Sequence, residues 1–319
     1  MTANRRTFLT VAASTAAGWA LPGCVAEDKS SEPHRDTLDV VATTGMIADM
    51  VRSIGGDAVR LTQLIPAGVD PHLYKPIRDD IVAIVHSKIV FYNGLKLEGR
   101  MADVLGSPTK SDRSHVALAE VLGPEDWIGE PQSDAVDPHI WMDVALWSKT
   151  LVRIEEALAE RLPKFKERFR QAAQGLRQQL LELDDYGQKA IERIPKQQRI
   201  LISSHDAFQY FGRRYGLRVE GVQGISTASE AGLKRIPELI DLVSQNSVPA
   251  VFKESSVAGK MIDAVIEGAA SRGIKLQVGR ELYSDALGPS GSGAETYLGM
   301  MKHNFDSVAQ ALGGVQSPP

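Results

Sequence analysis

The sequence has almost no cysteine and no run of positive charge. A single cysteine, Cys24, occurs in 319 residues, which excludes an internal disulfide and any zinc site built from several cysteines. The formal net charge is −4. Because nucleic-acid binding depends on basic surfaces that neutralise phosphates, we expect no nucleic-acid partner.

A long hydrophobic run is also missing. The most apolar segment follows Arg5-Arg6 and ends at Leu21-Pro22-Gly23-Cys24. At roughly 14 residues it is shorter than the ~20 residues that a membrane-spanning helix needs. A basic start, a short apolar segment and a small residue before the cut are typical of an export signal, which we place at residues 1–23.

Two details of this signal predict how the chain is exported and held. The paired arginines followed by Phe8-Leu9 resemble a twin-arginine signal, and Leu21-Pro22-Gly23-Cys24 resembles a bacterial lipobox. Cys24 is then the lipidated first residue of the mature protein, and the polar residues 24–36 form a tether. The alternative is a short anchor helix with an incidental cysteine. Either arrangement places the globular part in the periplasm or at the cell surface, held at a membrane.

Apolar strand patterns alternate with amphipathic helix patterns along the rest of the chain, which favours parallel sheets covered by helices. The length suggests two domains. We therefore predict an α/β fold with two βα lobes, each with a central, mostly parallel sheet. The predicted strands are Leu38 to Thr43, Val59 to Ile65, Lys88 to Tyr92, Arg199 to Ser203, Leu217 to Val222, Pro249 to Phe252 and Ile274 to Val278, and a short apolar run lies at His115 to Leu118.

One long helix is predicted between the two lobes. From Pro163 to Ile194 the apolar residues recur at helical spacing in a narrow stripe, and most other positions are charged or amide side chains. Such a helix would span about 45 Å, which favours a rigid strut between lobes over a place in either core. A coiled-coil dimer seam is the alternative. The predicted boundaries are 37–162, 163–195 and 196–319, and we expect a monomer.

Three of the seven histidines occupy similar positions at strand-to-helix corners. His72 lies in the Gly- and Pro-rich loop after an apolar strand, His139 lies in a second Asp-Pro-His loop, and His205 directly follows another apolar strand. Open α/β sheets place their sites beyond the carboxyl ends of strands. A divalent metal ion would explain all three, although a satisfied polar histidine stays open for each. The histidines outside such corners are not expected to be ligands: His34, His86, His115 and His303.

An oxygen ligand or a water would normally join three imidazoles. Asp285 lies on a loop after the last predicted strand, before a Gly/Ser-rich turn, although chemistry alone favours a solvated loop carboxylate there over a ligand. Glu254, after the strand ending at Phe252, is a competitor, or else the hydrogen-bond partner of a ligand. Asp143 and Asp206 are predicted to cap helices, Asp206 the helix from Ala207 to Tyr215.

Several motifs in one order resemble the zinc/manganese solute-binding lipoproteins of ABC importers, the TroA-like family. The similarity runs from about Val40 to Leu312, and it is carried by Asp70-Pro71-His72, Asp137-Pro138-His139-Ile140-Trp141, Ser204-His205-Asp206-Ala207-Phe208, Val251-Phe252-Lys253-Glu254-Ser255 and Tyr283-Ser284-Asp285-Ala286-Leu287-Gly288. The resemblance implies two lobes bridged by one rigid helix, with a metal ion in the cleft. It also implies that His72, His139, His205 and Asp285 are the ligands, two from each lobe.

Two features bear on the metal in opposite directions. Manganese-type members often carry Glu where this chain has His205, whereas dedicated zinc members often carry a His-rich loop that the segment from Ser107 to Ser133 lacks. Three nitrogens and a carboxylate suit Zn²⁺ and still admit Mn²⁺ through a bidentate aspartate. Because protonated imidazoles cannot bind a metal, affinity should fall as the pH drops through about 6.5.

The resemblance implies a binding protein and not an enzyme. Its cargo is one Zn²⁺ or Mn²⁺ ion, and its partners are the permease and the ATPase of an ABC importer. One alternative is a zinc-dependent hydrolase, although no His-Glu-x-x-His motif occurs and four protein ligands leave little room for a substrate. The other alternative is a surface adhesin.

Overall fold

The computed structural model describes residues 37–106, 114–129, 135–228 and 234–313. The predicted signal peptide, Cys24 and the tether lie outside the described residues, as do residues 107–113 and 130–133 of the segment from Ser107 to Ser133. Within the described part, no helix is both long and apolar enough to cross a membrane.

The first lobe is built on a sheet of four parallel strands in the order β2-β1-β3-β4. Successive residues of β1 point to opposite faces: Val40 and Ala42 belong to one core cluster and Val41 to another. Both faces are therefore covered, as is usual for parallel sheets. The strands are β1 Leu38–Ala42, β2 Val59–Gln63, β3 Ile89–Tyr92 and β4 Ser114–Ala117.

The second lobe repeats this strand order from two shorter parallel pairs, β5 with β6 and β7 with β8. The N–H of Phe252, next to β7, donates to the carbonyl of Ile202 in β5 at 2.9 Å, so the strands run in the order β6-β5-β7-β8. The last two strands are shorter than predicted, because β8 lies at the edge and both of its residues are exposed. The strands are β5 Ile200–His205, β6 Arg218–Gln223, β7 Ala250–Val251 and β8 Gln277–Val278.

Helices cover both sheets, and their order alternates with the strands as predicted. They are α1 Gly45–Gly55, α2 Arg78–His86, α3 Ala102–Leu105, α4 Val144–Arg161, α5 Lys166–Glu192, α6 Gln209–Tyr215, α7 Arg235–Asn246, α8 Lys260–Ser271 and α9 Tyr297–Ala311. The α/β fold with two βα lobes joined by one long helix is confirmed.

The long helix α5 has 27 residues and spans about 40 Å at 1.5 Å per residue. It contacts α1 and α4 of the first lobe and α6 and α9 of the second. Its apolar stripe, including Phe169, Leu176 and Leu180, belongs to the largest core cluster, which also contains residues of both sheets. The expectation that α5 lies outside the cores was wrong, because both lobes bury their inner faces against it. Because the apolar stripe of α5 is buried within the chain, it is not available to form a coiled-coil seam with a second chain.

Of the two predicted helix caps, one is confirmed and one is wrong. The carboxylate of Asp143 accepts the backbone N–H groups of Ala145 and Leu146, which begin α4. Asp206 instead accepts the side-chain amide of Gln209 at 2.7 Å. Because α6 begins only at Gln209, Asp206 lies too far upstream to reach its first free N–H groups.

Candidate metal centre

The structure brings the four predicted ligands to one point between the lobes. His72 lies in the loop after β2, His139 in the loop before α4, His205 at the end of β5, and Asp285 in the loop after β8. One ligand atom from each lies within 4.8 Å of the others. His72 is 5% exposed, Asp285 is 1% exposed, and the other two are fully buried.

The separations of the ligand atoms match those around a four-coordinate ion. Nε2 of His72 lies 3.2 Å from Nε2 of His139, and Nε2 of His205 lies 3.2 Å from Oδ2 of Asp285. Oδ1 of Asp285 lies 3.5 Å from Nε2 of His139, and its Oδ2 lies 3.9 Å from Nε2 of His72. Ligands at about 2.0–2.1 Å from a tetrahedral Zn²⁺ would be about 3.3 Å apart. The cluster therefore has the size of a single-ion site.

Several of the atoms that point into this cluster have no hydrogen-bond partner in the part of the chain that the structure describes. Nε2 of His205 and both carboxylate oxygens of Asp285 are buried and have no hydrogen-bond partner among the described residues. Buried polar atoms without partners cost about 1–3 kcal/mol each, and more when charged. Because imidazole nitrogen and carboxylate oxygen are both metal donors, the residues present fit a divalent cation.

Two buried carboxylates orient the rings of His139 and His205. Oδ1 of Asp137 lies 2.7 Å from Nδ1 of His139 and also accepts that residue's backbone N–H at 2.9 Å. Oε2 of Glu254 lies 2.5 Å from Nδ1 of His205, and its Oε1 accepts the backbone N–H of His205 at 2.8 Å. An ionised carboxylate only accepts hydrogen bonds. In the neutral rings these contacts keep the proton on Nδ1 and leave the lone pair of Nε2 facing the cluster.

The sequence analysis predicted the role of one of these two carboxylates and not that of the other. Glu254 contacts a predicted ligand, as one of its two predicted roles requires. Asp137 was not singled out as an orienting residue. The available signal was the repeated Asp-Pro-His, in which an aspartate can bond the backbone two residues later. That same local bond is present in the first motif, where Oδ1 of Asp70 accepts the N–H of His72 at 2.8 Å.

Buried hydrogen bonds tie the His139 loop to the Asp285 loop. The indole N–H of Trp141 donates to the carbonyl of Ser284 at 2.8 Å, and the hydroxyl of Tyr297 donates to the carbonyl of Trp141 at 2.6 Å. The side chain of Asn304 accepts from the N–H of Tyr283 at 3.0 Å and donates to its carbonyl at 2.7 Å. Two ligands from different lobes are thus fixed relative to each other.

The pKa values of His72, His205 and Asp285 in the cluster are shifted in different directions. Burial lowers the pKa of His72 to about 3, against the opposing pull of Asp285. Burial also acts to lower the pKa of His205, but Glu254 and Asp285 outweigh it and hold that pKa well above its usual value. Burial would raise the pKa of Asp285, yet the facing histidines, His205 first, lower it. The metal-free cluster therefore carries a proton on His205 and a carboxylate at Asp285.

The other described histidines lie away from the cluster and bond to backbone carbonyls. Nδ1 of His86 lies 2.7 Å from the carbonyl of Val82, one turn back in its own helix. Nδ1 of His115 lies 2.7 Å from the carbonyl of Leu105, and Nε2 of His303 lies 2.8 Å from that of Glu281. The structure thus does not place these three at the site, and His34 lies outside the described residues.

The chain is similar to known metal-binding proteins over nearly its whole folded length. Residues 40–311 match the family described as ZnuA, zinc-uptake complex component A periplasmic. The manganese-binding lipoprotein MntA of Bacillus subtilis (strain 168) is 40% identical over 302 residues, which cover 95% of this chain and 98% of that protein. The zinc-binding protein TroA of Treponema pallidum (strain Nichols) is 40% identical over 273 residues, covering 86% and 88%.

A solved structure agrees with these sequence matches. The periplasmic zinc-binding protein TroA from Treponema pallidum superimposes with a TM-score of 0.83 at 39% identity, covering 86% of this chain and 99% of that one. The resemblance carried by the motifs is thereby confirmed. The extent of the family match and the identity to both relatives show that the chain belongs to the ZnuA family of periplasmic zinc-uptake components.

Proposed function

We propose that this protein captures one Zn²⁺ or Mn²⁺ ion outside the cytoplasm and delivers it to the permease of an ABC importer driven by its ATPase. The observation that carries the proposal is the buried cluster of three imidazoles and one carboxylate, in which Nε2 of His205 and both oxygens of Asp285 have no hydrogen-bond partner among the described residues. Family membership and the zinc- and manganese-binding relatives support it.

His72, His139, His205 and Asp285 are the proposed ligands, two from each lobe. The lobes at 37–162 and 196–319, joined by the segment 163–195, would each supply half of the coordination shell. Their spacing supports a single ion at about 2 Å from each donor atom. A site divided in this way lets an ion close the cleft when it binds and leave when the lobes part.

The donor set supports a carrier more than a catalyst. A catalytic zinc keeps an open coordination position for water or substrate, whereas here four protein donors converge and none of them is more than 5% exposed. Affinity alone does not select the metal in the cell, because binding at a given site strengthens from Mn²⁺ towards Zn²⁺. The proposal therefore names both ions as cargo.

The N-terminal segment supports a lipid anchor at Cys24 after removal of residues 1–23. Its Leu21-Pro22-Gly23-Cys24 motif fits a lipobox, and the similar MntA is named a lipoprotein. The paired arginines favour export by the twin-arginine route. The anchored protein would work as a monomer beside its permease, in the periplasm or at the cell surface.

Metal titration of the purified chain lacking residues 1–23 tests the proposal. We expect one Zn²⁺ or Mn²⁺ per chain, and a loaded protein stabilised by about 4 kcal/mol at a thousandfold excess over its dissociation constant. The variants His72→Ala and His205→Ala should lose that stabilisation, with His86→Ala as a matched histidine control on the surface. A chain that binds no divalent ion, or that hydrolyses an ester or peptide when loaded, would overturn the proposal.

A further inference from the structure

The two Asp-Pro-His motifs have the same local geometry and different second contacts. In each, the aspartate accepts the backbone N–H of the histidine two residues later, at 2.8 Å for Asp70 and 2.9 Å for Asp137. Asp137 also contacts the ring of its own His139. Asp70 instead accepts a hydrogen bond from the hydroxyl of Thr227 at 2.6 Å, 157 residues away. The loop that carries His72 is therefore held partly by a residue of the other lobe.

Thr227 occupies a turn after β6, in the second lobe. The other side-chain bonds of the His72 loop stay within the first lobe: the hydroxyl of Tyr74 and the N–H of Ile77 both donate to Asp80. Among the described residues, the bond from Thr227 to Asp70 is the hydrogen bond that crosses from the second lobe to this loop. This bond links the two lobes on the side of the site where His72 lies.

The remaining three ligands do not depend on such a single crossing bond. His205 is part of a fully buried strand. The His139 loop is bonded by Asn93 and Tyr210 through the carbonyls of Pro138 and Asp137, at 2.9 Å each. His72 is also the most exposed of the four ligands. The ion therefore has its least constrained neighbour on the His72 side.

We infer that Thr227 is a positioning residue for metal retention: by holding Asp70 from the opposite lobe it keeps His72 on the ion and slows metal release. The inference rests on the proposed function, and it adds a residue of the second lobe that touches no donor atom. A hydrogen bond to a charged group of this strength corresponds to about a tenfold or larger change in an equilibrium. Because the bond joins the two lobes beside His72, we expect the change to appear in the release rate.

Release of Zn²⁺ from the loaded chain lacking residues 1–23, followed by stopped-flow with a chromogenic chelator, tests this inference. Thr227→Val keeps the shape and removes the hydroxyl, and we expect release about tenfold faster. Thr227→Ser keeps the hydroxyl and should release Zn²⁺ within about twofold of the parent rate. Ser226→Ala is the matched control, because among the described residues that hydroxyl accepts the N–H of Ala228 within the same turn.

Two further measurements separate positioning from a general loss of structure. The melting temperature of the metal-free protein should be the same in Thr227→Val and Thr227→Ser. In an Asp70→Ala background, Thr227→Val should add almost nothing to the release rate, because the two residues act as one unit. Parent-like release from Thr227→Val, equal acceleration in Thr227→Ser, or an additive effect in the double variant would overturn the inference. Failure of the parent chain to bind Zn²⁺ would instead overturn the proposed function.

Discussion

The two sides of the proposed metal centre are held in different ways. On one side, His139, His205 and Asp285 are almost fully buried and are tied by carboxylates and by bonds between loops of both lobes. On the other side, His72 lies in a partly exposed loop that one hydroxyl of the second lobe holds. The difference teaches that a carrier can fix most of its donor set in advance and leave one donor to close on the ion.

The largest effect is expected from removing the only anionic donor of the fixed side. Asp285→Ala should weaken Zn²⁺ binding on the order of a thousandfold, because one of four ligands is lost from a binding free energy of roughly 10–16 kcal/mol. His72→Ala should weaken binding less and should act mainly through faster release. Competition titration with a chelator of known affinity measures both. Equal losses in both variants would remove the distinction between the two sides.

Protons should compete with the ion at the fixed side. The pKa of His205 is raised because Glu254 and Asp285 outweigh the effect of burial, whereas burial lowers the pKa of His72 to about 3. Binding near neutral pH must therefore displace a proton from His205. The dissociation constant should rise about tenfold per pH unit as the pH falls below that raised pKa, already above pH 6.5. A dissociation constant that stays constant from pH 8 to 5.5 would contradict imidazole ligation.

The same proton has the opposite effect on the metal-free fold. A raised pKa in the folded state stabilises the protein fully below about pH 6.5, the ordinary value for histidine. That contribution is lost as the pH rises through the raised pKa of His205. The melting temperature of the metal-free protein should therefore fall slightly across this range. Replacing His205 by Gln should abolish the trend.

The orienting carboxylates should matter less than the ligands but still measurably. Glu254→Gln removes the charge that fixes the proton on Nδ1 of His205, and we expect affinity to fall about 10–100-fold. Asp137→Asn should have an effect of the same order through His139. The Glu254 variant should also bring the pH dependence of binding closer to that of an ordinary histidine. If isothermal titration finds parent affinity in both variants, these carboxylates do not orient the ligands.

The smallest effect is expected from cutting one bond between the fixed loops. Trp141→Phe removes the donor to the carbonyl of Ser284, so the lost bond should weaken affinity about three- to tenfold. Because this bond is buried, its loss should also lower the melting temperature of the metal-free protein. Thr227→Val removes a bond that is only partly buried, so we expect faster release with little change in the melting temperature. If the two variants change the release rate and the melting temperature in the same way, the two sides of the site are not held differently.

The fold was largely predictable because its signals are local. Apolar runs of strand length alternate with amphipathic helices, and the predicted strands and helices all appear in the predicted order. The predictions that were wrong concern features that depend on contacts between distant parts of the chain. The strands β7 and β8 are shorter than predicted, Asp206 bonds to a side chain instead of capping a helix, and α5 is part of a shared core.

The candidate site divides in the same way. His72 and His205 could be singled out because loops after strands are recognisable from the sequence. His139 was predicted to lie at such a corner too, but it follows no strand in the described structure, and its signal was the repeated Asp-Pro-His. Asp285 could not be separated from a solvated carboxylate by chemistry, and only the family resemblance selected it. The contacts of Asp137, Trp141 and Thr227 had no comparable signal, since each depends on which loops meet in space.

The sequence by itself determined the alternating strands and helices, and it placed His72 and His205 at or after strand ends, because hydrophobic periodicity and turn residues act over short stretches of chain. Only the tertiary structure decided that donors more than a hundred residues apart converge on one point, and that Thr227 reaches Asp70. The reason is physical: each lobe can form its strands and helices from its own residues, but the contacts between loops exist only once both lobes pack against α5.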